Sequence, residues 1–227
     1  MPRVKQSTGV CAFCGEEITK RSIAKHLAVC PRRQERMATA ERRKVGQETL
    51  WHLEVRDAFL KQFWLHLEMR GSASLKDLDG YLRAIWLECC GHMSRFSVGG
   101  WGSDEIAKQR RADDVFQRGV ELTHIYDFGT SSETLIKAIG SRVGRPLTAK
   151  PMVLMARNLQ PEAACIECGK PAAWLCHECL IEDELWGVLC DEHADTHPHD
   201  NYGEPVQLYN SPRMGLCGYE GPAEPPY

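Results

Sequence analysis

The sequence predicts an α+β fold: an antiparallel sheet packed with one main helix, flanked at both ends by small zinc-stabilised modules. Three observations carry this. LWHLEVRD (50–57) and FWLHLEMR (63–70) alternate apolar and polar residues, the two-residue period of a half-buried strand. SLKDLDGYLRAIWLECC (74–90) places Leu75, Leu78, Leu82, Ile85, Trp86 and Cys89 at steps of three and four, the period of an amphipathic helix. Eight of the eleven cysteines fall in two short stretches, 11–30 and 165–190. A chain of 227 residues accommodates one ordinary core with such appendages.

In chain order, residues 1–31 read as a zinc finger. Cys11, Cys14, His26 and Cys30 have the spacing C-x2-C-x11-H-x3-C. A tight C-x2-C turn supplies two thiolates, and His26 and Cys30, four apart, share one helix face. Ile23, His26, Leu27 and Cys30 form one stripe, with Ser22 as the expected N-cap. So small a unit cannot fold on apolar burial alone, so metal binding has to supply the missing free energy. Residues 32–48 read as a basic linker, helical or mobile.

Residues 49–160 are the only stretch able to build a conventional core. After the two alternating strands, Ser74 is a suitable N-cap and Asp77 lies in the first helical turn. HMSRFSVGG (92–100) resumes as a strand, and 103–114 is polar, a short helix or surface loop. Residues 120–142 predict two strands around a Gly-Thr-Ser-Ser turn, and PMVLMARN (151–158) a last strand.

Residues 161–200 form the second Cys/His module. Cys165, Cys168, Cys176, Cys179, Cys190, His193, His197 and His199 make four pairs, the number that two tetrahedral ions require. Two assignments fit. In a cross-brace, Cys165, Cys168, Cys190 and His193 take one ion, and Cys176, Cys179, His197 and His199 the other. In a sequential arrangement the four cysteines of the two C-x2-C pairs share one ion and Cys190 with the three histidines the second. The alternation resembles B-box-type modules, which favours the cross-brace, although the short H-x-H step is awkward for one ion. An iron–sulfur cluster is the competing cofactor, and the histidines argue against it. The expected cofactor is therefore zinc, three ions in all and at least two. Sites filled by four protein ligands are structural rather than catalytic. Residues 201–227 read as an irregular tail, with GPAEPPY expected to be disordered.

Charge is unevenly placed. Residues 1–45 carry eleven Lys/Arg against four acids, a net of +7, within a chain whose formal charge is −3. Lys20, Arg21, Lys25, Arg32, Arg33 and Arg36 are accordingly the candidate nucleic-acid contacts, to DNA or RNA. The longest apolar run, near MVLMA (152–156), is far short of a membrane span, and the N-terminus has no apolar signal region. The expectation is a cytoplasmic bacterial protein with reduced cysteines and no membrane partner.

The sequence contains no P-loop, no dinucleotide fingerprint and no Ser/His/Asp spacing. The DFG triplet at Asp127–Gly129 lacks a kinase catalytic loop, and Asp127 reads as capping a turn. Cys89-Cys90-Gly91-His92 reads as small residues at a helix end, because adjacent cysteines bind one ion poorly. Cys217 has no assignment.

FWLHLEMRGSASLKDLDGYLRAIWLECCGHMSRFSV, YDFGT, the C-terminal Cys/His cluster and NSPRMGLCGY together resemble the plasmid ORF-three-like family first noticed on an Ri plasmid. Its relatives include a protein described as an insertion-element passenger. The resemblance covers 49–219, and the IWLECCGH and NSPRMGLCGY stretches are its most specific parts. It implies an α+β core and no defined activity. Many members continue YDFG with Asp, Trp and His, where this chain has Thr130, Ser131 and Ser132.

These readings lead to one expectation: a zinc-binding, non-enzymatic protein contacting nucleic acid or another protein. The alternatives are a protein-interaction adaptor without nucleic-acid binding, and an enzyme with a site in the α+β core near His92, Tyr126 and Asp127.

Overall fold

Alternation of apolar side chains lets a strand bury one face, and the stretches that alternate do become neighbours in one sheet. The computed structural model describes residues 7–221. Two of the eleven basic residues of 1–45, Arg3 and Lys5, and all but the first residue of GPAEPPY lie outside the described residues. The chain forms two units, residues 7–82 with 93–159, and residues 83–92 with 160–221.

In the first unit the elements run β1 (Thr8–Cys11), β2 (Glu17–Thr19), α1 (Lys20–Val29), α2 (Pro31–Ala40), β3 (Glu48–Asp57), β4 (Trp64–Arg70), α3 (Leu75–Leu82), β5 (Ser94–Ser97), β6 (Glu105–Ile106), α4 (Ala112–Val115), β7 (Glu121–Tyr126), β8 (Ser132–Gly144) and β9 (Met152–Asn158). Nine strands form one antiparallel sheet in the order β2-β1-β9-β4-β3-β8-β7-β5-β6. Leu53, Val55, Leu65, Leu67 and Met69 are buried, but on β4 so are Trp64, His66 and Glu68, so that strand is buried on both faces rather than half-buried. The mixed helix-and-strand class follows from these patterns. The helical share is distributed differently: α1 and α2 have 10 residues each and α3 only 8. Ser74 and Asp77 cap α3 reciprocally. Ser74 donates from N and Oγ to Asp77 Oδ2 at 2.8 and 2.7 Å, and Asp77 N donates to Ser74 Oγ at 3.3 Å.

The first cysteine turn is part of this sheet. β1 pairs with β9 through Gly9↔Asn158, Val10↔Arg157 and Cys11↔Ala156. β9 carries a bulge opposite His66 and Leu67 that leaves Met155 without a partner on β4. Met155 O then accepts the amide of Ala12 at 2.9 Å, inside the first C-x2-C turn. Cys11, Ile23, Leu27 and Cys30 share one apolar cluster with Trp64, Met155 and Ala156. The few apolar residues of the 7–31 segment are therefore supplemented by those of β4 and β9. β2 leads directly into α1, whose N-cap is Thr19 rather than Ser22.

The second unit has a π-helical turn over Arg83–Leu87, β10 (Trp174–Leu175), α5 (His177–Ile181), β11 (Val188–Leu189), α6 (Asp191–Ala194) and β12 (Val206–Gln207). Its sheet order is β11-β10-β12. Its apolar clusters are small: one of Leu175, Val188, Met214 and Tyr219, with Cys89 and Leu208 among the residues packed on it, and one of Leu189 with Cys165, Cys176, Cys179 and Cys190. The helical period that runs through Cys89 is thus α-helical only to Leu82, and the next five residues widen into the π turn.

Candidate metal centres

Two of the C-x2-C pairs close with one hydrogen-bond pattern. Gly15 N donates to Cys11 O at 2.8 Å and Cys11 N to Glu16 O at 3.0 Å; Gly169 N donates to Cys165 O at 2.9 Å and Cys165 N to Lys170 O at 2.8 Å. Gly15 and Gly169 take φ of +76° and +73°, a conformation that glycine adopts without steric cost. The third pair is built otherwise. Cys176 caps α5, accepting from Cys179 N at 3.4 Å through its sulfur.

The side chains converge. Cys11, Cys14, His26 and Cys30 form one group whose ligand atoms all lie within 4.8 Å of one another. Cys165, Cys168, Cys190 and His193 form a second, and Cys176, Cys179, His197 and His199 a third. The C-terminal ligands therefore group in the interleaved way, and His177 belongs to neither set. A tetrahedral ion with Zn–S of about 2.3 Å and Zn–N of about 2.0–2.1 Å separates its ligands by about 3.5–3.8 Å. The Cys11–Cys30 and Cys168–Cys190 sulfurs stand 3.9 and 3.8 Å apart. The sulfur–nitrogen separations are 3.4 Å for Cys14–His26, 3.5 Å for Cys165–His193 and 3.7 Å for Cys176–His199. The H-x-H step is accommodated by opposite ring nitrogens. His197 presents Nε2 and His199 Nδ1 to the Cys179 sulfur, at 3.1 and 3.3 Å.

Two histidines carry a carboxylate on the nitrogen that faces away from the sulfurs. Glu16 Oε2 lies 3.7 Å from His26 Nδ1, and Asp183 Oδ2 lies 3.9 Å from His199 Nε2.

The thiols interfere with each other's ionisation. Burial pushes Cys11 up to about 11, while at Cys30 burial is outweighed by backbone and thiol hydrogen bonds that lower its pKa. Burial also opposes ionisation of Cys165, but the amides of Cys190, Glu167 and Cys168 bring it down to about 6. Burial, with Cys176 beside it, pushes Cys179 up to about 12. A divalent ion at each centre offsets the repulsion between its thiolates, three in each of the first two groups and two in the third.

A fourth convergence lies outside these stretches: Cys89, Cys90, His92 and Cys217, again within 4.8 Å. Sequence spacing could not reveal it, because Cys90 and Cys217 are 127 positions apart.

The basic residues divide. Arg21, Lys25, Arg32 and Arg36 are exposed on α1 and α2, and Arg32 pairs with Glu35 at 3.0 Å. Lys20 is half-buried, its Nζ donating to Lys61 O at 2.8 Å. Arg33 leaves the surface. It donates to Leu27 O at 2.9 Å and to Glu68 Oε2 at 3.1 Å.

In the core of the first unit, Asp127 accepts from the amides of Gly129 and Thr130 at 2.9 and 3.2 Å and so caps the β7–β8 turn. A polar network joins Asp79 Oδ1 to Ser94 Oγ at 2.6 Å and to His124 Nε2 at 2.7 Å, and Lys108 Nζ donates to Ser94 Oγ at 2.6 Å.

Four groups of four Cys/His ligands define a protein able to hold metal ions. No helix of the described residues is long and apolar enough to cross a membrane. No family model and no curated protein matches the chain. Among solved structures, a protein of unknown function from Methanosarcina mazei Go1 is similar at 16% identity and a TM-score of 0.41, over 54% of this chain and 75% of that one.

Proposed function

We propose that the first three groups each hold one zinc ion, that these ions are structural, and that the chain is a non-enzymatic binding protein of the plasmid ORF-three-like family. The carrying observation is that every group offers four protein ligands, which leaves a tetrahedral ion no open position for substrate or water. Native mass spectrometry of the full chain should record at least three zinc ions, and two or fewer would overturn the reading.

The proposed partner is a nucleic-acid backbone, in a cytoplasmic setting that keeps thiols reduced. Exposed Arg21, Lys25, Arg32 and Arg36 around the N-terminal group support it. The expected binding of the zinc-loaded full chain to duplex DNA weakens linearly in log affinity with log salt, by roughly 0.9 per neutralised phosphate. Arg21→Ala with Lys25→Ala should flatten that slope. Absence of binding at low salt, or a slope that the variants leave unchanged, refutes the nucleic-acid partner. A second reading, a protein-interaction adaptor, is favoured by Ile181, Leu185 and Trp186, which are 54%, 46% and 45% exposed. It predicts partner capture that is lost in Trp186→Ala and unaffected by the Arg21/Lys25 changes.

A further inference from the structure

Adjacent cysteines seldom serve one ion, since neighbouring side chains in regular structure diverge. Here the backbone around them is not regular. The π turn ends at Leu87, Glu88 N returns to Arg83 O at 2.9 Å, and Gly91 takes φ of +75°. Glu88 accepts the Gly91 amide through one carboxylate oxygen and Arg83 Nη1 through the other, at 2.7 Å. Arg83 Nη2 donates to His92 O at 2.6 Å. The 88–92 loop is thus clamped from inside, with the Cys89 and Cys90 sulfurs 3.6 Å apart and His92 Nε2 3.2 Å from Cys90 Sγ.

The 211–219 loop completes the set. Ser211 Oγ donates to Trp86 O at 2.6 Å and accepts from Arg213 N at 2.9 Å. Gly215 and Gly218 take φ of +79° and +62°, and Cys217 itself +52°, a conformation that a residue with a Cβ adopts at a cost. That bend sets the Cys217 sulfur 3.6 Å from Cys90 Sγ and 3.1 Å from His92 Nε2. These edges match those of the other three groups. Arg213, 0% exposed, directs Nη2 at the Cys89 sulfur from 3.6 Å. Three thiolates around a divalent ion carry one net negative charge, and this guanidinium offsets it.

We propose that Cys89, Cys90, His92 and Cys217 form a fourth metal site, for a thiolate-preferring divalent ion of the zinc class, which fastens the 88–92 loop to the 211–219 loop. Three thiolates and one imidazole make a closed set, so the site is a staple and not a reaction centre. Cys90 and Cys217 are exposed, as are Cys14 and Cys168, but each of the other three groups also holds two buried cysteines and this one holds none. The fourth ion is therefore the most accessible to chelators and exchanges first.

The test combines ion counting with thiol labelling on the full chain. Native mass spectrometry after zinc loading should give four ions, and Cys217→Ser and Cys90→Ser should each give three. Iodoacetamide should leave Cys90 and Cys217 unmodified in the loaded protein, then label them first as a chelator is titrated in. A wild-type count of three, or labelling of Cys90 and Cys217 in the loaded protein at the rate of free thiols, overturns the fourth site alone. A count of two or fewer overturns the three-zinc reading as well. The wild-type count and the labelling decide the matter even if a variant fails to fold.

Discussion

Removal of the Glu68 charge should be felt strongly. Its carboxylate is 3% exposed and accepts from Arg33 Nη2 at 3.1 Å and from Arg142 Nε and Nη2 at 3.0 and 2.8 Å. The two guanidinium side chains are 10% and 17% exposed. Glu68→Gln keeps the shape and deletes the charge, leaving two nearly enclosed cations facing a neutral amide. Breaking a buried pair by removing one partner costs about 3–5 kcal/mol. The residual exposure of both arginines places this case at the lower end, about 3 kcal/mol. For a unit of this size that lowers the midpoint of thermal unfolding by roughly 6–12 °C. The assay is thermal and chaotrope unfolding followed by tryptophan fluorescence, with zinc held in excess so that metal loss does not contribute. Arg33→Met with Glu68→Leu and Arg142→Met should recover most of the loss, since apolar replacement of a whole buried triad is often neutral. A Glu68→Gln protein within about 1 kcal/mol of wild type would refute the reasoning, because that is the range of a solvent-screened surface pair.

Other outcomes follow from neighbouring features. A Cβ at Gly9 would stand 2.3 Å from Arg157 O and 2.5 Å from the Trp64 ring, so Gly9→Ala should part β1 from β9. The expected cost is about 3 kcal/mol or more, and amide exchange at Ala12, bonded to Met155 O, should accelerate; unchanged exchange would count against it. His52 Nε2 and His66 Nδ1 lie 2.9 Å apart, and burial, more than the Arg33 charge near His52 or the His52 and Lys20 charges near His66, holds them down to about 4 and about 3. Both are neutral when folded and take up protons on unfolding, so their stabilisation is complete above pH 6.5 and is lost as pH falls towards 4 and then 3. Each contributes a slope of up to about 1.4 kcal/mol per pH unit below 6.5. His52→Gln/His66→Asn should flatten the acid limb of stability against pH, whereas parallel curves for variant and wild type would exclude this origin.

The sheet strands were legible where one face is buried and the other is not, as in β3, or where a turn signal separates two runs, as in β7 and β8. Strands of two to four residues, such as β1, β2 and β6, are too short to establish a period. The C-x2-C pairs are visible because their ligands are local. Cys217 is not, because its partners lie more than a hundred positions away and only the folded loops bring them together. Arg33 looks like its basic neighbours until Glu68, 35 residues on, is placed opposite it. The convergence of Cys89 and Cys90 was not legible because the argument against adjacent ligands assumes a regular backbone, and the π turn with Gly91 removes that assumption.

The pairing of Gly9 with Asn158 also has a consequence for synthesis on the ribosome. β1 leaves the exit tunnel first, and its partner strand follows about 150 residues later. At roughly 5–20 residues per second, that is a wait of the order of 10 s. During this interval Cys11, Cys14, His26 and Cys30 are complete as a ligand set while β1 still presents an unpaired edge and Trp64, Met155 and Ala156 are absent or unplaced. Early capture of an ion would give the nascent N-terminus a covalent-like crosslink before any sheet exists to receive it. Closure of β1 on β9 can follow only once β9 has been made, so the two ends of the first unit join late.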